Sequence, residues 1–142
     1  MEPVRMPLRV RYHECDPQGV VFNANYLAYF DMASFEFLAA VLGKSTGLND
    51  HGVDFVVAES NVRYLRALRF EDELVVSVRI AHLGNTSLVL EFEIQRGDET
   101  VATGTNRYVF VDEKTLTKKA PPDEIRVKLL EYQALAATPD PA

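Results

Sequence analysis

Polar and apolar positions alternate from the start of the chain. Leu8, Val10 and Tyr12 are separated by Arg9, Arg11 and His13, the period-two pattern of a strand with one buried face. Asp16-Pro17-Gln18-Gly19 then breaks the pattern with turn chemistry. The segment 24–42 contains neither Gly nor Pro, and Gly43 follows it where a helix end favours glycine. Asn23 is the predicted N-cap. Only Asn25, Asp31, Ser34 and Glu36 are polar within this helix. A helix apolar on nearly every side is a buried one, so protein is expected to wrap most of it. Its length approaches the ~20 residues of a membrane span. Two carboxylates inside it, and no basic flank beyond Lys44, argue against a bilayer.

The remainder reads as strands. Segment 53–70 carries Phe55, Val57, Val62, Tyr64 and Leu68, a long strand with an irregular middle. Leu74, Val76, Val78 and Ile80 alternate with Val75, Ser77, Arg79 and Ala81, and Leu88, Leu90, Phe92 and Ile94 repeat the pattern. Arg96-Gly97-Asp98 is a hairpin turn signal before a last strand over 101–111. The short connections predict antiparallel neighbours. A short helix is expected over 124–135, and residues 136–142 as a frayed tail, leaving 1–135 as a single domain. The fold predicted is α+β: a curved antiparallel sheet of about five strands around one long central helix, the hotdog arrangement. Such a sheet leaves an edge strand open, so pairing with a second copy is expected.

Composition narrows the function classes. At 142 residues, with 47% apolar and 25% charged positions, the chain has the make-up of one globular domain rather than a disordered or disulfide-stapled one. Acidic residues outnumber basic ones 21 to 15, a net charge of −6 that repels nucleic acid and obliges an anionic ligand to find a local basic patch. Cys15 is the only cysteine, so no intrachain disulfide forms. The first residues, Met1-Glu2-Pro3-Val4-Arg5, lack an apolar signal region, and a cytoplasmic location is expected.

The chemistry concentrates between His13 and Tyr26. Asp16 supplies a carboxylate fit to act as general base or nucleophile. Gly19 permits a close turn. The helix N-terminus that follows offers free backbone N–H groups to a carbonyl or an oxyanion. The same residues also suit an ordinary structural turn, and spacing alone does not separate the two readings.

The run from Val10 to Leu27, with Asp16-Pro17-Gln18-Gly19-Val20-Val21 leading into Asn25-Tyr26, resembles the first signature of the 4-hydroxybenzoyl-CoA thioesterase family of hotdog acyl-CoA thioesterases. The likeness continues through Asp54-Phe55-Val56-Val57, Val62-Arg63-Tyr64, Phe70-Glu71-Asp72-Glu73-Leu74 and Thr86-Ser87-Leu88, to about Val111. It implies hydrolysis of an acyl-CoA to free acid and coenzyme A, with no metal or other cofactor. Asp16 takes the place of the catalytic carboxylate, as nucleophile or as base for water. The backbone N–H of Asn23 takes the place of the oxyanion donor, and Gly19 makes the close turn. Val20, Tyr26, Val56, Val57, Glu59, Thr86 and Ser87 fall at substrate-lining positions, with Val56, Val57 and Glu59 reaching the site from a partner chain. A homo-oligomer follows, either a dimer or a homotetramer of hotdog dimers. Many members carry His or Tyr where this chain has Asn23, which removes a proton donor. The basic cluster that some carry before Ser87 is here Leu83-Gly84-Asn85.

Arg63, Arg66 and Arg69 are then the candidates for the coenzyme A phosphates, with Lys118 and Lys119 behind them. Solvated arginines balancing excess acid are the competing reading. Cys15 with His13 is expected to be a buried, inert thiol rather than a nucleophile. His13, Cys15 and Asp16 lack zinc-ligand spacing. Asp31 and Glu36 lie five apart, off a common helical face, and are expected to be exposed or partner-paired. An acyl-carrier-protein thioesterase and a non-catalytic acyl-CoA-binding hotdog protein are the alternatives.

Overall fold

The computed structural model describes residues 1–44 and 46–136 and, for Ala136, the backbone alone. Five strands form one antiparallel sheet in the order β1-β3-β4-β5-β2: β1 (Val4–Arg9), β2 (Val53–Tyr64), β3 (Glu73–Leu83), β4 (Ser87–Arg96) and β5 (Glu99–Asp112). Helix α1 (Asn25–Leu42) lies on its concave face, and α2 (Asp123–Ala136) packs beside it against β3. The alternation read from the sequence is realised. Leu74, Val76, Val78 and Ile80 of β3 and Leu88, Leu90, Phe92 and Ile94 of β4 are all buried.

Several expectations are corrected. The strand read from Leu8 through Tyr12 starts earlier and stops at Arg9, while Tyr12 to Glu14 form a 3-10 turn that leaves Tyr12 exposed. The helix begins at Asn25 behind Ala24, and Asn23 makes no side-chain cap. Strand β2 ends at Tyr64, and its irregular middle is a bulge between Val57 and Glu59. Strand β2 is not beside β3 but at the far edge, beside β5. Segment 65–72 makes that crossing. At ~3.3 Å per residue it reaches roughly 26 Å, against about 14 Å for three strand spacings. Arg96 holds the segment, donating to Ala67 O at 3.0 Å and to Asp72 Oδ2 at 2.8 Å.

Helix α1 is also less enclosed than its composition implies. Tyr26, Tyr29, Phe30, Ala33, Phe37 and Val41 are buried, but Leu27, Met32 and Phe35 are exposed, Phe35 by 67%. Its apolar residues thus face two directions, the sheet and an uncovered side. Ala136 closes α2, and the rest of the expected tail, 137–142, lies outside the described residues.

Two contacts fix how the helices seat. Phe30 stacks on Phe92 at 4.6 Å, and Gly104 of β5 makes room for the Phe30 ring. A Cβ at Gly104 would press into that ring and come within 2.5 Å of Asn61 O. Gly104→Ala should therefore destabilise the protein by about 1–3 kcal/mol, read as a lower urea midpoint. At the other end, the Tyr132 hydroxyl enters the β1–β3 ladder. It donates to Val78 O at 2.6 Å and accepts from Val4 N at 3.0 Å. Tyr132→Phe strands both groups, and chemical denaturation should show a loss of about 1–3 kcal/mol.

Candidate active site

The loop between β1 and α1 is a closed hairpin of main chain. Cys15 and Val21 form an isolated antiparallel bridge. Inside it, Asp16 N donates to Val20 O at 2.9 Å and Gly19 N to Asp16 O at 2.9 Å. Gly19 sits at φ +79°, in the left-handed region where a Cβ is costly. Asp16 Oδ1 accepts from Gln18 N at 2.8 Å. This Asx-type bond fixes the carboxylate rotamer, while Oδ2 takes no donor among the described residues. Asp16 is half-buried. Cys15, also half-buried, contacts Arg11 O through its sulfur at 3.9 Å, and His13 is exposed.

The returning limb carries Asn23. Its carbonyl accepts from Tyr26 N at 3.2 Å and from the Tyr64 hydroxyl at 3.1 Å. Its own N–H donates to no protein group among the described residues and sits at the positive end of α1, where backbone donors are left over. A loop carboxylate and an unused helix-start amide therefore flank one exposed turn. Tyr26 is buried edge-on against Tyr64, with ring centroids 4.8 Å apart. Burial, with the neighbouring Tyr64, raises the Tyr26 pKa.

Two residues that sequence reading missed tie the limbs together. Glu14 Oε1 accepts from Arg11 N at 2.7 Å and from the Tyr29 hydroxyl at 2.9 Å. Glu14 O accepts from Phe22 N at 2.9 Å and from Asn25 Nδ2 at 2.8 Å. Burial, then the bond to Glu14, pushes the Tyr29 pKa far up, so the phenol stays a donor. Nothing in the local pattern signals this contact, because it joins positions 15 apart across an irregular loop.

The other predicted residues divide into two groups. Asp16, Gly19, Val20, Asn23 and Tyr26 gather at the sheet end where β2 finishes with Tyr64. Val56 and Val57, with Thr86 and Ser87 at the β3–β4 hairpin, lie towards the opposite end of the strands. Tyr64 and Val57 are separated by about 20 Å at ~3.3 Å per residue. One chain does not bring the two groups together. Register also splits the β2 set. Val57 pairs with buried Tyr108 and faces α1, whereas Val56 pairs with Val109, and Glu59 with exposed Arg107, on the convex face. Alternation separates neighbours 56 and 57, and the bulge restores the inward phase at Ser60.

The arginines do not form one cluster. Arg63 is on the convex face of β2, paired in register with Thr103. Arg66 lies beyond the strand and contacts Glu99 at 3.4 Å and Leu65 O at 2.8 Å. Arg69 is in the same connecting segment and exposed, and among the described residues neither it nor Arg63 makes a side-chain ion pair. Lys119 is spent on Asp112 at 3.4 Å and on Gly52 O at 3.2 Å, while Lys118 is exposed. Asp31 and Glu36 are exposed on α1, as expected.

The structure is a hotdog sheet cradling a long helix, with a carboxylate and an unused amide at the helix start. Comparison with known proteins identifies the class as thioester hydrolase. The profile of the thioesterase-like superfamily matches residues 10–129, and the chain belongs to that family. The acyl-CoA thioester hydrolase YbgC of Escherichia coli O6:H1 is 33% identical over 97 residues, 68% of this chain and 72% of that one. The 1,4-dihydroxy-2-naphthoyl-CoA hydrolase of Nostoc punctiforme is 30% identical over 120 residues, 82% and 79% of the two chains. Among solved structures, the probable thioesterase YbaW of Escherichia coli superposes with a TM-score of 0.80 at 26% identity, covering 91% of this chain and 98% of that one. The DHNA-CoA thioesterase of Staphylococcus aureus shares the fold, with a TM-score of 0.85 at 20% identity over 96% and 94% of the two chains. Among the described residues, no helix is long and apolar enough to cross a membrane.

Proposed function

We propose that this chain hydrolyses an acyl-CoA thioester to the free acid and coenzyme A, with Asp16 as the reacting carboxylate. The observation that carries the reading is that one turn holds a fixed carboxylate and the amide of Asn23, with neither Oδ2 nor that amide bonded to a described residue. The thioester oxygen takes the Asn23 N–H, which stabilises negative charge as it develops. Asp16 either attacks the carbonyl carbon, forming an anhydride that water opens, or removes a proton from the attacking water. On both routes the C–S bond breaks and the leaving thiolate takes up a proton. No metal or redox step is required.

The working unit proposed is a homodimer made through β2. Both sheet edges are open, but β1 carries Pro7, with Pro3 just before it, while β2 has no proline and exposes Val56, Val57 and Tyr64. Antiparallel pairing of two β2 edges about a twofold axis would carry Val57 of the second copy towards Asn23 and Tyr64 of the first. That juxtaposition would bring Val57 to the loop residues from which one chain keeps it apart. The exposed apolar side of α1 would serve a further contact in a tetramer. Arg63 and Arg69, without ion pairs among the described residues, are the proposed phosphate contacts, and a cytoplasmic location accords with the single unpaired cysteine.

The test is thiol release from aromatic, short and long acyl-CoAs and from an acyl-carrier-protein thioester. Turnover of one acyl-CoA class at a kcat/KM above about 10⁴ M⁻¹s⁻¹ supports the reading. Tight binding without turnover of any thioester overturns it in favour of a non-catalytic binder, and turnover confined to the carrier-protein substrate moves the substrate class.

A further inference from the structure

We propose that Tyr29 and Glu14 are positioning residues that set the Asp16 carboxylate against the Asn23 amide. The inference rests on the thioesterase reading of that turn. Asp16 rides on the outgoing limb of the loop and Asn23 on the returning limb. The bonds within the loop, Asp16 N to Val20 O and Gly19 N to Asp16 O, hold its tip but not its bearing on α1. That bearing is set two residues upstream. Glu14 is the shared acceptor of the 3-10 turn through Arg11 N, of the returning limb through Phe22 N, and of the helix through Asn25 Nδ2 and the Tyr29 hydroxyl.

Of these four donors, Tyr29 alone reaches Glu14 from inside the core. It is 1% exposed, and its ring is held by packing that includes Tyr26, at a centroid separation of 6.1 Å. A rigid buried ring thus presents one hydroxyl, 2.9 Å from the half-buried carboxylate, as a fixed reference for the outgoing limb of the loop. Packing alone would be met by phenylalanine, and the hydroxyl adds the link from helix to loop. A reacting group displaced by ~1 Å loses about 10²-fold in rate, so a small swing of the loop is enough to matter.

The test compares Tyr29→Phe, Glu14→Ala, Glu14→Gln and the Tyr29→Phe/Glu14→Ala double variant with wild type, using the acyl-CoA that wild type hydrolyses best. Tyr29→Phe and Glu14→Ala should each lower kcat by about 10- to 100-fold, with KM within about twofold. The double variant should be little worse than either single one, since both remove the same link. Glu14→Gln keeps the acceptor oxygen and should restore kcat to within about threefold of wild type. Wild-type kcat in Tyr29→Phe overturns the inference. So does a kcat loss that tracks a fall in melting temperature, or a Glu14→Gln variant as impaired as Glu14→Ala. Failure of the underlying reading shows separately, as a wild-type protein that turns over no thioester or an Asp16→Asn variant that remains active.

Discussion

Asp16→Asn should reduce kcat for acyl-CoA hydrolysis by about 10²–10⁴-fold while leaving KM within a few-fold and the fold intact. The structure explains why this substitution isolates the chemistry. Asn retains an Oδ1 that can accept the Gln18 amide, the 2.8 Å bond that fixes the rotamer. The turn is otherwise closed by main chain, through Asp16 N to Val20 O and Gly19 N to Asp16 O, which the change does not touch. What disappears is the second oxygen as a base or a nucleophile. Thiol release measured at saturating substrate, beside a thermal melt, decides the matter. Activity within threefold of wild type would remove Asp16 from the mechanism. Single turnover in ¹⁸O-labelled water then tests for the anhydride. Label entering the Asp16 carboxylate marks an anhydride opened at the aspartyl carbon, and label confined to the product acid marks water attacking the acyl carbon, of the thioester or of the anhydride.

The second large effect is expected far from that carboxylate. Val57→Lys should convert the protein to a monomer and cost at least about 10²-fold in activity, although Val57 is about 20 Å along β2 from Tyr64, at the end of the strand near the Asp16 loop. Val57 is 51% exposed on the open β2 edge and points to the helix side of the sheet. On an isolated chain, a lysine there would be solvated and nearly neutral for stability. In a β2–β2 pairing it would bury a charge against apolar groups. Light scattering reads the oligomeric state and thiol release the activity. Mixing Val57→Lys with Asp16→Asn before assay sharpens the result, since a mixed dimer carries one site with an intact carboxylate and an intact Val57. An active monomer would show that each chain holds a complete site.

The residues differ in how far the sequence reveals them. Strands β3, β4 and β5 were readable because their inner and outer faces alternate cleanly, and α1 was readable because 24–42 has no breaker before Gly43. The signature around Asp16 and Gly19 was readable as a motif, because a tight turn entering a helix constrains residue type locally. The order of the strands was not. Whether β2 lies beside β3 or at the far edge depends on segment 65–72, whose path is set by Arg96 bonds to Ala67 O and Asp72 and by the main chain of Val21 reaching Leu68 O at 2.8 Å. The Tyr29 to Glu14 contact was equally hidden, as was the bulge that puts Glu59 on the face opposite Val57.

By itself, the sequence determined the α+β class, the approximate strands, the existence of α1 and the turn that carries Asp16. Those follow from periodicity and local backbone preference, which act over a few residues. Only the tertiary structure decided that β2 is an edge, that one flank of α1 is left uncovered, and that Glu14 and Tyr29 brace the loop. It also decided that the predicted site residues fall into two groups at opposite ends of one sheet. These depend on which distant segments compete for the same hydrogen-bonding edge and the same core volume, a contest that no local pattern records.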